Sequence, residues 1–315
     1  MKLRIWAALI SIYIVWGSTY LAIRFAVQSM PPFLMAATRF LVAGAILYAW
    51  RRLAGDSAPT RREWKSAAVI GLFLLLGGNG GVVWAEQRVV SGVAALLIGS
   101  VPIWLVLLDA LRPGGLRPNW QTSLGILGGF VGIALLVAPS DLSGGAQQVD
   151  LLGMIALLLG ALFWAVGSLY GRDAVLPSSP MLATGMEMLV GGAGLLAAGT
   201  ITGEWSRLDL AAVRPESALG LAYLILFGSL VGFASYTWLL RVAPISLVAT
   251  YAYVNPLVAI LLGNLLAQEP LTPRVILSAV VIVGAIALIN TGRAALQKRL
   301  SMGAPVSAVS MLDNK

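Results

Sequence analysis

The chain contains neither cysteine nor histidine. The first absence rules out a disulfide framework and a thiolate metal site. The second removes the commonest general base, the commonest metal ligand and the usual physiological proton switch. No metal site and no cofactor is expected from such an inventory. Charge is scarce too: Asp, Glu, Lys and Arg make up 11% of the 315 residues, against about a quarter in a soluble domain. So few charges do not coat a soluble surface of that size. With 59% of residues hydrophobic, the solvent for most of the chain is lipid. The 13 acidic residues are outnumbered by 21 basic ones, an excess that in a soluble protein suggests nucleic acid. In a membrane protein the same excess reports topology, because Lys and Arg collect in cytoplasmic loops. The expected partners are a lipid bilayer and a small-molecule substrate, not nucleic acid.

Long apolar runs are abundant. A spanning helix needs about 20 mostly apolar residues. Ten stretches meet that need: 5–27, 33–50, 66–86, 92–111, 120–138, 150–170, 181–201, 218–240, 245–267 and 274–291. The linkers are short and leave no room for a soluble domain. Met1-Lys2-Leu3-Arg4 ahead of the first run looks like the start of a signal peptide. The run continues to Ile23 with no small-residue cleavage site, so it reads as an uncleaved first helix. With the N-terminus inside, fifteen of the Lys and Arg fall in inner segments; four, Arg88, Arg207, Arg214 and Arg274, fall in outer ones. That asymmetry predicts both termini in the cytoplasm.

The chain also repeats itself. Gly17-Ser18-Thr19-Tyr20 matches Gly167-Ser168-Leu169-Tyr170, and Pro32, Leu34 and Gly44 match Pro180, Leu182 and Gly192. Pro102 answers Pro256, and Val131-Gly132 answers Val283-Gly284, all at offsets of 148 to 154 residues. Each unit holds five helices, an odd number, so the second copy lies upside down relative to the first. The expected fold is all-α: a polytopic membrane protein of ten transmembrane helices in two inverted five-helix repeats. The first repeat covers 1–140, the second 141–292, and 293–315 forms a polar cytoplasmic tail. Inverted repeats are a transporter signature, with the substrate near the midplane between the halves. Both halves lie in one chain, so a monomer suffices, and a larger assembly is not barred.

Several stretches carry a family likeness: Tyr13-Ile14-Val15-Trp16-Gly17-Ser18-Thr19-Tyr20, Arg24, Pro31-Pro32, Arg39-Phe40, Gly78-Asn79-Gly80, Ala85-Glu86, and Tyr251-Ala252-Tyr253-Val254-Asn255-Pro256. From about residue 8 to residue 290 the chain resembles EamA-type members of the drug/metabolite transporter superfamily. The resemblance implies a ten-helix basket around a cavity lined by helices 1, 3, 4, 6, 8 and 9, with helices 5 and 10 peripheral. It further implies residence in a bacterial inner membrane and export of amino acids, aromatic and other neutral ones, or related metabolites. Small multidrug relatives use a membrane Glu in helix 1. No acid stands in helix 1 here, which puts that proton-coupling mechanism in doubt.

Ionisable groups inside a span are costly and face a cavity or a partner. Arg39 and Glu86 read either as a charge pair gating the outer mouth, as a contact for a zwitterionic substrate, or as a static salt bridge. Glu187 stands at the repeat position of Arg39 among Gly185, Gly191 and Gly192; it reads as a coupling group or as a structural one held against a close neighbouring helix. Polar and aromatic groups at mid-depth are the candidates for a substrate cavity: Trp16, Ser18 and Tyr20 on helix 1, Asn79 and Trp84 on helix 3, Trp164, Ser168 and Tyr170 on helix 6, and Tyr251, Tyr253 and Asn255 on helix 9. Some tryptophans and tyrosines instead suit an interface belt. Pro102 and Pro256 each free a backbone carbonyl within a span and are candidate hinges.

Three function classes compete. An intramembrane enzyme needs an acid cluster or a nucleophile with a base, and none is visible. A channel favours rings of like residues about a symmetric pore, whereas inverted repeats favour two-sided access. Secondary transport by alternating access is the reading that remains, with no catalytic residue. All four Lys lie outside the spans, so a strongly anionic substrate is disfavoured and a neutral or zwitterionic solute is expected. Amphipathic multidrug efflux is the runner-up, and a membrane-embedded enzyme a distant third. No nucleotide motif exists, and without a helix-1 acid the expectation is facilitated or weakly coupled transport.

Overall fold

In lipid every backbone N–H and C=O must bond within its own segment, so an apolar run of this length folds as a helix. The computed structural model describes residues 2–113, 115–137, 150–243, 245–248 and 250–301. Its described residues are helical with short connections and no strand. Among the described residues nine helices are long and apolar enough to cross a membrane: α1 (Lys2–Ala26), α2 (Pro32–Leu53), α3 (Arg61–Ala85), α4 (Ser91–Leu111), α5 (Trp120–Val137), α6 (Leu151–Asp173), α7 (Pro180–Ile201), α8 (Pro215–Leu239) and α10 (Pro273–Leu296). The tenth apolar helix, α9 (Tyr251–Ala267), is shorter. Its run begins in a separate turn, Ile245–Val248. The boundary expected near residue 140 and the tail beyond residue 301 lie outside the described residues.

Local sequence explains most helix starts. Thr60 and Glu63 form a reciprocal capping box at α3. Asp150 Oδ1 accepts from Gly153 N at 2.7 Å at the start of α6, and Ser179 caps α7 ahead of Pro180. Helices α2 and α4 have no such local cap: Pro31 and Val90 occupy those positions. Their amides are met from far along the chain. Glu204 accepts from Phe33 N and Leu34 N at 3.3 and 2.9 Å. Glu269 accepts from Ser91 N and Gly92 N at 2.9 and 3.1 Å.

The packing is pseudo-two-fold. Helix α2 lies on its repeat mate α7, and α5 on its mate α10. Helix α1 packs against α8 and α9, as α6 packs against α3 and α4. Glycines allow the self-paired contacts: a Cβ on Gly44 would stand 2.9 Å from Gly185 O, and one on Gly125 would stand 2.8 Å from Ala285 O. The outward faces stay apolar, as on α5, where Leu124, Leu127 and Val131 are exposed; lipid is their solvent.

Two irregularities recur at equivalent places, and the sequence did not announce them. Residues Leu72–Asn79 of α3 and Leu224–Val231 of α8 wind as π-helix. Such widened turns are rare and concentrate at functional sites. Each faces a tryptophan of the other repeat. Trp16 Nε1 donates to Gly228 O at 3.2 Å, and the Trp164 ring lies 3.0 Å from where a Cβ on Gly78 would stand.

Candidate functional site

The helices enclose a cavity of about 280 Å³ whose wall carries both π segments or their neighbours, the α4 break and the start of α9. Its aromatic side is built around Trp16. The Phe233, Tyr236 and Tyr251 rings lie 5.4, 5.2 and 5.1 Å from it, two of them edge-on. Edge-on pairs are favoured over their buried area alone, so this wall is interlocked as well as apolar. Across from it stand Asn79 and Trp164. Polar groups are few. Asn255 Oδ1 and Asn290 Nδ2 are buried without a hydrogen-bond partner, and both residues line the cavity. Groups left in that state are what a bound solute satisfies.

Charge in the wall has one sign. Among the described residues Arg39 and Arg293 line it, and no carboxylate does. Arg293 is already neutralised by Asp109, which also holds Arg172 at 3.3 Å. Arg39 is only 5% exposed. Its Nε donates to Ser229 Oγ at 3.0 Å, and its guanidinium lies 4.6 Å from the Phe40 ring. Among the described residues no carboxylate comes within ion-pair distance of it.

Of the sequence-derived cavity residues, the structure brings together Trp16, Tyr20, Asn79, Trp164, Tyr251 and Asn255, with Arg39, Pro102 and Pro256 in the same wall. The others lie elsewhere. Ser18 Oγ bonds Val15 O and the Tyr223 hydroxyl, tying α1 to α8. Trp84 lies under the Arg88 guanidinium. Ser168 and Tyr253 are half-buried outside the wall, and Tyr170 is exposed. Glu187 stands on α7, which contributes nothing to the cavity; Gly185 and Gly192 there press on α2, and Gly191 on α3. Glu86 is buried, is not among the lining residues and makes no salt bridge with Arg39. Pro102 begins the second half of α4 after a turn at Gly99-Ser100, whereas Pro256 lies inside continuous helix, so the two prolines differ in setting. Helices α2 and α10 also reach the cavity, where the family likeness implied a peripheral α10; Ile289, Asn290 and Arg293 line one end of it. Thr19, Phe233, Tyr236 and Asn290 were not singled out from sequence. Asn290 had a signal, a lone amide in an otherwise apolar run.

The two faces are laced differently. On the face where α1 ends, Arg24 Nε meets Glu269 at 3.3 Å and Arg24 also reaches Val89 O. Towards the opposite face Asp109, Arg172 and Arg293 join α4, α6 and α10, and the Tyr13 hydroxyl bonds Thr250.

Compared with known proteins, the profile of the EamA-like transporter family matches twice, at residues 3–138 and again at 151–291. The chain belongs to that family. This EamA transporter is 41% identical over 293 residues, 92% of each chain, to YedA of Escherichia coli K12, described as an uncharacterized inner membrane transporter. It is 28% identical to a WAT1-related chloroplastic protein of Arabidopsis thaliana, over 90% of this chain and 69% of that one. A solved crystal structure superposes with a TM-score of 0.63 at 21% identity, covering 93% of this chain and 97% of that one, a likeness of fold alone.

Proposed function

We propose that this EamA transporter exports small neutral or zwitterionic metabolites, apolar and aromatic amino acids foremost, across the bacterial inner membrane by alternating access. The observation that carries the reading is the lining: an aromatic wall holding one buried guanidinium, Arg39, with no carboxylate counter-ion. An uncompensated buried charge costs several kcal/mol, on the order of 3 or more, and a solute carboxylate supplies what is missing. The wall offers amides, phenols and a guanidinium, not an acid–base couple, and a carrier needs no more. The Lys and Arg distribution supports cytoplasmic termini, and one chain holds both halves, so a monomer suffices.

The test is flux in liposomes. Purified protein should move radiolabelled phenylalanine or leucine saturably, and Trp164→Ala should abolish most of that flux without loss of fold. Movement of a cationic dye and of no amino acid would overturn the substrate class.

A further inference from the structure

The export reading leaves one buried carboxyl unused. Glu86 is 2% exposed, and neither of its carboxyl oxygens has a hydrogen-bond partner. It follows α3 on the stripe of Asn79 and Val82, seven and four residues beyond them, both helical spacings. Both of those line the cavity, so Glu86 sits in its outer roof. It also stands at a helix C-terminus, where the backbone dipole opposes negative charge. A bare carboxylate buried there without a donor is costly, so the site calls for a proton or a cation.

The charged and titratable groups around it are few. Helix α1 presents Arg24 and Tyr20, α2 presents Arg39, and the segment after α9 presents Glu269. Arg24 is engaged by Glu269 and Val89 O. On the same turn Arg88 pairs with Asp150 at 3.8 Å. Arg39 is the remaining cation, and no carboxylate holds it.

We infer that Arg39 and Glu86 are the two halves of a receptor for the charged head of an α-amino acid, and that Glu86 exchanges a proton for the substrate's ammonium group. The inference rests on the export reading and adds to it a head-group subsite and a coupling ion. The substrate carboxylate pairs with Arg39, its ammonium with Glu86, and its side chain lies against Trp16, Trp164 and Tyr251. On the inner side Glu86–COOH releases its proton to water as the ammonium arrives. On the outer side the carboxylate takes a proton as the amino acid leaves. No bond of the substrate changes. One proton enters for each zwitterion exported, so the cycle carries one positive charge inward and responds to both the pH gradient and the membrane potential. The missing helix-1 acid therefore does not leave the carrier uncoupled.

The experiment uses the full chain in liposomes with radiolabelled phenylalanine. Exchange against internal unlabelled phenylalanine comes first, and its absence in the wild type would sink the export reading itself. Where exchange occurs, an acidic lumen should accelerate phenylalanine entry severalfold. Excess phenethylamine or 3-phenylpropionate, each lacking one charge, should compete at least tenfold less well than phenylalanine. Glu86→Gln should raise the KM for exchange about tenfold and lose the acceleration by the gradient. Acceleration that survives Glu86→Gln, or that is missing in the wild type despite exchange, overturns the inference. Should Glu86→Gln fail to fold, Glu86→Asp carries the test: a displaced pH optimum with coupling retained supports it, and a pH profile superimposable on the wild type overturns it.

Discussion

Replacing Glu269 with glutamine removes one charge and almost no volume, and the structure says what that should cost. The carboxylate is 6% exposed and accepts from Ser91 N and Gly92 N at 2.9 and 3.1 Å while meeting Arg24 Nε at 3.3 Å. A glutamine oxygen can still take one of those amides. Its NH₂ then faces the other, donor against donor, so one charge-assisted bond worth about 1.5–3 kcal/mol is lost. The attraction of a negative charge to the α4 N-terminus adds about 0.5–1 kcal/mol. Arg24 is 30% exposed, so its share is discounted for solvent to about 0.5 kcal/mol. The total is about 3 kcal/mol, or roughly a 6 °C fall in melting temperature at about 2 °C per kcal/mol for a chain this long. Thermal unfolding of the detergent-purified protein, followed by tryptophan fluorescence, measures it. Arg24→Gln should cost only a small part of that. Two results would refute the reasoning: a Glu269→Gln melting temperature within ~1 °C of wild type, or an Arg24→Gln loss equal to the Glu269→Gln loss.

Gly44→Leu places a Cβ 2.9 Å from Gly185 O and should destabilise by about 1–3 kcal/mol, read as lowered melting temperature, with Gly44→Ala milder. Asp109 is 3% exposed and bonded to two arginines, so Asp109→Asn should cost about 2 kcal/mol once the exposure of Arg172 is discounted; a double-mutant cycle with Arg293→Gln should show coupling, and additive losses would count against the network. Outside the membrane, the Arg51 hydrogen bond holds Asp56 below the usual carboxylate range, helped by Ser179. A depressed carboxyl stabilises above its unfolded value and loses that contribution as pH falls through its folded one. Asp56→Asn should therefore lower stability slightly at neutral pH, leave the acid end well below about pH 4, the unfolded aspartate value, little changed, and so flatten the stability-versus-pH curve between them.

The architecture was legible because lipid makes length and hydropathy decisive. Trp16, Asn79 and Asn255 fell into the cavity because polar or aromatic groups at mid-span have few other tolerable places. Ser18 and Trp84 carried the same signal and were absorbed by the Tyr223 hydroxyl and the Arg88 guanidinium, partners that no spacing rule announces. The π windings of α3 and α8 escaped notice because Leu72–Asn79 reads as ordinary apolar helix; its widened turns depend on contacts across the interface, such as Trp164 against Gly78. The wall's single sign of charge also needed the structure, since Arg293 at the rim counted only as a topology signal in the sequence.

The two long-range caps bear on how the protein is made. The first repeat leaves the ribosome before Glu204 and Glu269 have been synthesised, yet the opening amides of α2 and α4 wait for those carboxylates, 171 and 178 residues downstream. Those two helices can enter the bilayer early, but their N-terminal ends are finished only when the second repeat arrives. A gene cut between the repeats thus yields a front half with two unfinished helix starts, and its back half must be made in the same membrane to complete them.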